Sequence, residues 1–244
     1  MEKLFSRKIW MFLVVFSYYT NTSSAFNCFY HSERYGGIAI LAWGSLVKSP
    51  RNLEFEGKFK QTNITFPIEL SCVSFEGTGR QKLTRIVDKH WGRPMTLWCA
   101  NAKNHFLPKA IDNLAQRETT SIDKIFYIRT LQFHELHQLS EVLVLDKDIP
   151  LKNNDGKLWC IGLTAFQQLP RSKVIELTKW ATIENYDAAL WTGLEMTPGY
   201  GRSGLLKLLQ RDPRTLENTQ KYILNSPDMD ELTQFEQNIL NGDI

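Results

Sequence analysis

The residues Ile38-Ala39-Ile40-Leu41-Ala42 run without a polar side chain and then meet Trp43-Gly44-Ser45-Leu46. A run this short and this continuously apolar reads as a buried strand, and a buried strand requires a sheet around it. It constrains the fold more than any other segment. The exit is constrained too. Glycine lacks a Cβ and serine is small, so a second strand or a ligand can approach the backbone closely there.

Further strands follow the same logic. Residues 66–75 alternate Ile68, Leu70 and Cys72 against Glu69 and Ser71, the period of a half-buried strand. A turn at 76–79 and a second alternating segment at 80–88 complete a predicted β-hairpin. Strands are also expected at 94–100, 124–130, 141–146 and 187–195. A further apolar run spans 158–166, after a turn at 153–156. Residues 131–141 are ambiguous. Helical spacing of Ala110, Ile111, Leu114 and Ala115 predicts a helix over 108–118. Helices are expected at 172–183, 205–210 and 212–225, with a loop at 198–204 and a polar helical tail from Pro227 onward. Strands come first and helices late, without βαβ alternation. The expected class is α+β with a mixed or barrel-like sheet, in one domain over 26–244.

Residues 1–25 read differently. Lys3, Arg7 and Lys8 precede an apolar core from Ile9, and small polar residues lead to Ala25. This is the plan of a secretory signal peptide cleaved near Ala25, giving an exported protein; an uncleaved membrane anchor is the alternative. The apolar core is about 11 residues, and a membrane span needs roughly 20. Removing 1–25 takes away three basic residues and one acidic residue, so the formal charge falls from +3 to +1. Nearly neutral and without a basic cluster, the mature chain offers no footprint for nucleic acid. No membrane partner is expected beyond the export signal. Cys28, Cys72, Cys99 and Cys160 permit two disulfides or plain buried thiols, and no spacing fits zinc. Asn21 and Asn63 head glycosylation-type triplets.

Several constellations carry little chemistry. Ser45 lacks the second glycine of a G-x-S-x-G elbow, and no motif ties it to His90, His105, His134 or His137. Cys99 with His105 is equally unsupported. His134 and His137 lack a third metal ligand, and the 199–204 glycines lack the strand–helix context of a dinucleotide site. No metal or cofactor is therefore expected. Glu118, after Arg117 at the end of a short helix, differs. A carboxylate at a helix-to-loop boundary can face a pocket, and desolvation there makes it a usable base.

Three segments in order, "IAILAWGSLVKSPRNL", "FPIELSCVSFEGTGRQKLTRIVD" and "AIDNLAQRETT", resemble the γ-glutamylcyclotransferase-like family, nearest to a bacterial branch with an Ala-Trp-Gly-Ser-Leu loop. "DAALWTGL" and "TQKYILNSP" resemble that branch as well. The resemblance covers about 38–227. It implies a small mixed β-barrel with flanking helices and a helical C-terminal part. It implies a substrate loop at Trp43, Gly44, Ser45 and Leu46 whose backbone amides contact a small-molecule γ-glutamyl substrate. It implies Glu118 as the single general acid and base, with no cofactor. Arg80 and Glu69 are candidates for secondary contacts, or else outward-facing strand positions. Three departures stand out. Trp43 replaces the commoner Tyr, the hairpin "SFEGTGRQKLTR" is longer and more basic than the pattern, and Thr119-Thr120 follow Glu118 where a Gly or a compact turn is expected. An inactive binding or effector protein that keeps the fold is the alternative to an enzyme.

Overall fold

A computed structural model describes residues 34–76, 80–130, 148–152, 158–162 and 168–244. The expected signal segment, Cys28, the turns at 76–79 and 153–156, the 131–141 stretch, the 141–146 strand and His134 with His137 fall wholly or mainly outside them. Residues Arg34–Ile244 form one compact unit.

The apolar run forms β1 (Ile38–Ala42), in the middle of one eight-stranded sheet. A single-turn helix α1 (Ser45–Lys48) follows, then β2 (Phe55–Glu76), β3 (Arg80–Val87) and β4 (Arg93–Ala102). After α2 (Leu107–Glu118) come β5 (Ile125–Thr130), β6 (Asp148–Lys152) and β7 (Leu158–Gly162). Helix α3 (Arg171–Ile183), strand β8 (Ala188–Thr192) and helices α4 (Arg202–Arg211), α5 (Pro213–Leu224) and α6 (Gln234–Asn241) complete the described elements.

The strand order is β3-β2-β4-β1-β8-β5-β7-β6. β1 pairs parallel with β8 and antiparallel with β4, and the other ladders are antiparallel. The α+β class and the mixed sheet are as expected, but the barrel is not. Among the described residues no ladder joins β3 to β6, and the sheet is open. Helix α5 lies on β3 at one edge, so that end of the sheet is capped by helix rather than closed by a strand.

Why β1 is apolar throughout is now visible. Ala39, Leu41 and the following Trp43 point into a core with Phe66, Trp191 and α3. Ile38, Ile40 and Ala42 point the other way, into a second core with Leu107, Ile111 and Leu114 of α2. A strand covered on both sides has no polar face to show. β2 is long enough to serve two partners. It pairs with β4 through Phe55–Ile68 and with β3 beyond that point, and register shifts interrupt both ladders. Such irregularities bend a strand.

The far half of the hairpin corrects the sequence reading. Glu69 and Ser71 are buried, not outward-facing. A third core forms there from Leu70, Val73 and Leu83 against Leu205, Ile223 and Phe235 of the C-terminal helices. The segment after Pro227 is thus an integral layer, not a polar tail. Helix α6 opens with a capping box in which Thr233 and Glu236 satisfy each other's backbone N–H groups. The two-disulfide frame is also excluded, because Cys72 and Cys99 are unbridged thiols.

Candidate active site

Gly44, the N-cap of α1, has φ 56° and ψ −132°, a conformation that side chains rarely adopt. A Cβ placed there would lie 2.6 Å from the Tyr222 hydroxyl oxygen. Glycine is therefore required by both backbone and space. The turn then starts α1, whose first N–H groups, on Ser45 and Leu46, have no intrahelical acceptor.

A cavity of about 850 Å³ opens at this turn. Trp43, Ser45 and Leu46 line one side, and Glu118 with Thr119 line another. The β2–β3 hairpin supplies a further wall that includes Cys72, Ser74, Arg80 and Lys82. The expected loop, the expected carboxylate and Arg80 are thus brought to one cavity. Glu69 is not part of it. Its carboxylate accepts from Leu70 N–H at 2.8 Å and from the Thr233 hydroxyl at 2.9 Å, beneath the C-terminal helices.

Glu118 is the last residue of α2. Helical periodicity turns Leu114 and Ala115 into the core and leaves the final residue at the cavity rim. Thr119 closes the helix in the left-handed region, φ 54°, where glycine usually sits. Its two N–H bonds to Ala115 O and Gln116 O hold this strained residue in place. Burial pushes the Glu118 carboxyl above the ordinary carboxylate range. Arg117 and Arg51 oppose that shift without cancelling it.

Arg117 ties the carboxylate to the turn. Its Nη1 donates to Glu118 Oε1 at 3.2 Å, and its Nη2 donates to Ser49 O at 2.8 Å and to Ser45 O at 3.5 Å. Burial lowers the pKa of this guanidinium, and Glu118 works against the drop.

A buried network supports the other side of the turn. Arg85 on β3 donates Nε to Glu236 Oε1 at 2.6 Å and Nη2 to Oε2 at 3.1 Å, a bidentate pair. Its Nη1 reaches Ser226 Oγ at 2.5 Å and Asp228 Oδ2 at 3.2 Å. Asp228 in turn accepts from Gly44 N–H at 3.2 Å and from Trp98 Nε1 at 2.7 Å. The Gly44 amide is therefore spent on protein, which corrects its expected part in substrate binding. Trp43 donates its indole N–H to Arg85 O at 3.0 Å and packs against Phe66, so it serves as a wall. Tyr222 also lines the cavity. Its hydroxyl accepts from Arg85 N–H at 3.3 Å, and burial raises its pKa to about 12.

Sequence reasoning missed Arg51, Lys82, Tyr222 and the Arg85–Asp228–Glu236 network. Only the late "TQKYILNSP" hinted at Tyr222 and Ser226. The remaining candidates stay apart. His105 Nδ1 contacts Tyr35 O at 3.1 Å, whereas Cys99 Sγ contacts the Tyr186 hydroxyl at 3.5 Å. Among the described residues, no group of three His, Cys, Asp or Glu side chains is placed to hold a metal ion. No protein-family model, curated protein or solved structure matches this chain.

Proposed function

We propose that this chain is a γ-glutamylcyclotransferase-like enzyme that releases 5-oxoproline from a γ-glutamyl amine or peptide. One observation carries the reading: Glu118, with its raised pKa, shares a cavity with the Trp43–Leu46 turn that the sequence resemblance picks out.

The reaction asks little of a protein. The substrate's α-amine attacks its own γ-carbonyl, and a five-membered ring closes. Because the attack is intramolecular, holding the glutamyl chain folded supplies much of the rate. The α-amine attacks as the free base, its ammonium proton having gone to solvent, and Glu118 takes one of its two remaining N–H protons as the C–N bond forms. The tetrahedral oxyanion is assigned to the N–H groups of Ser45 and Leu46. Glu118 then gives its proton to the leaving nitrogen as the old amide bond breaks. One carboxylate serves both transfers because they are sequential, and a raised pKa suits both roles. Arg117, bound to Ser45 O and to Glu118, keeps the base and the turn in register.

The Arg117–Glu118 ion pair also favours a second reading, a binding protein in which the carboxylate is held rather than used. Export by residues 1–25 belongs to either proposal. Purified 26–244 incubated with γ-glutamyl amines and dipeptides separates the two, with 5-oxoproline detected by mass spectrometry. The enzyme reading requires product from the wild type and none from Glu118→Gln. Equal product from both, or none from folded wild type, refutes it.

A further inference from the structure

We infer that a second copy of this chain pairs antiparallel along the free edge of β2, about a two-fold axis at Gly57, and so joins the sheets of two copies. This stands apart from the cyclotransferase reading and requires no activity.

The first half of β2 has one neighbour. It pairs with β4 through Phe55–Ile68, and β3 joins its other edge only from Ile68 onward. Among the described residues no strand pairs with that edge over 55–67. Glu54 extends the β4 ladder by one step, because its carbonyl accepts from Lys103 N–H at 3.2 Å. An open edge displays backbone N–H and C=O groups that another strand can use.

Residues 54–60 read Glu-Phe-Glu-Gly-Lys-Phe-Lys. Read backwards, the segment keeps its aromatic positions and inverts every charge. In a two-fold contact each residue i meets j while j meets i. With Gly57 on the axis, Glu54 faces Lys60, Glu56 faces Lys58 and Phe55 faces Phe59, each of them twice. All four charged contacts are then between opposite signs. Moving the axis by one residue sets Glu56 or Lys58 against its own copy, which disfavours those registers.

The faces agree with this pairing. Glu56, Lys58 and Lys60 line one side of β2, beside a second cavity of about 450 Å³. Phe55 and Phe59 lie on the other side, their rings 5.1 Å apart, against the core under α2. The period of two thus survives the bulge between Glu56 and Lys60. Glu54, Glu56, Lys58 and Lys60 are exposed, and among the described residues none makes an ion pair within the chain. Gly57 has φ 74° and open space around the position of its missing Cβ. The positive φ favours glycine, and on the axis glycine meets its own copy without a side chain between. Lysines and a bulge can also blunt an edge. Blunting needs charge of one sign, whereas here the signs divide at Gly57.

Sedimentation equilibrium tests the pairing, on the chain without residues 1–25, which keeps the compact unit Arg34–Ile244. A contact this short falls below the roughly 1,200 Å² of standard interfaces, so the expected dimer is weak, with a micromolar dissociation constant. Two variants of identical composition and net charge separate the register from general electrostatics. Glu56→Lys with Lys58→Glu keeps every contact between opposite signs, and its dissociation constant should stay within about twofold of the wild type. Glu56→Lys with Lys60→Glu sets acid against acid and base against base. It should weaken association at least about sixteenfold, about twofold or more for each of the four contacts. Mixing that variant with Glu54→Lys, Lys58→Glu protein rebuilds all four contacts between unlike chains and should restore dimers, which a misfolded chain could not do. A wild type that stays monomeric up to about 500 µM, equal dimerisation of the two Glu56 variants, or a mixture that stays monomeric would overturn the inference.

Discussion

Replacing Glu236 by alanine should unsettle the fold and the site together, by an amount the geometry fixes. Arg85 and Glu236 are both fully buried, and two hydrogen bonds join them. Removing one partner of a buried pair leaves the other charge desolvated, at a cost of about 3–5 kcal/mol. Asp228 still reaches Nη1, which pulls the cost toward the lower end. Half of the capping box is lost too, the bond from Thr233 N–H to the Glu236 carboxylate, a share of about 1 kcal/mol. For a unit of this size, 3–5 kcal/mol lowers Tm by roughly 6–20 °C. Urea and thermal unfolding of Glu236→Ala, Arg85→Met and the double variant measure it. The double variant should be markedly less damaged than the sum of the singles, because neither member of the Arg85–Glu236 pair is then buried without the other, and Asp228 keeps its bonds from Gly44 and Trp98. A loss below about 1 kcal/mol in Glu236→Ala, or additivity within about 0.5 kcal/mol, would refute the reasoning.

Other outcomes are equally specific. The carboxyl of Glu118 is raised on folding, so its contribution to stability is fully present below the unfolded value of 4.5 and is lost as pH rises through the higher folded value. Glu118→Gln should therefore match the wild type in urea unfolding at about pH 4 and gain on it toward pH 8; a gain that is largest in acid would contradict the desolvation argument. Activity should rise with pH with a midpoint above 4.5, as the base deprotonates. Gly44→Ala should cost about 1–3 kcal/mol, since it forces a strained φ and drives a methyl against Tyr222. Tyr222→Phe in the same chain should recover part of that loss, and denaturation midpoints that show no recovery would rule out the clash.

Periodicity carried the sequence reading where one side of an element decides its fate. Helix α2 and the 80–88 strand were legible because apolar residues recur at the right spacing. β1 was legible because it is apolar throughout, and β8 because it is apolar up to its final Thr192. The hairpin's Glu69 and Ser71 misled for the same reason. Polar residues at alternate positions promise a wet face, but helices more than a hundred residues downstream cover this one. No local pattern announces that Arg85 will meet Glu236. The open sheet was illegible as well, since closure depends on what the edge strands meet, not on how any strand alternates. Glu118 and the Trp43–Leu46 turn were linked by resemblance, not by spacing, because nothing across a separation of 72 positions shows that Arg117 will reach Ser45.

The bond from Gly44 to Asp228 spans 184 positions of chain. It sets an order of assembly during synthesis. A nascent chain displays the turn early and Glu118 soon after, yet the amide of Gly44 lacks its protein acceptor until Asp228 has emerged. The later arrival of Ser226, Asp228 and Glu236 makes a segment far downstream the one that supports the Trp43–Leu46 turn. Contacts this distant in sequence form slowly. Until they form, Arg117 joins Glu118 to the turn without the Asp228 support behind Gly44, and a chain cut short before Ser226 would lack that support.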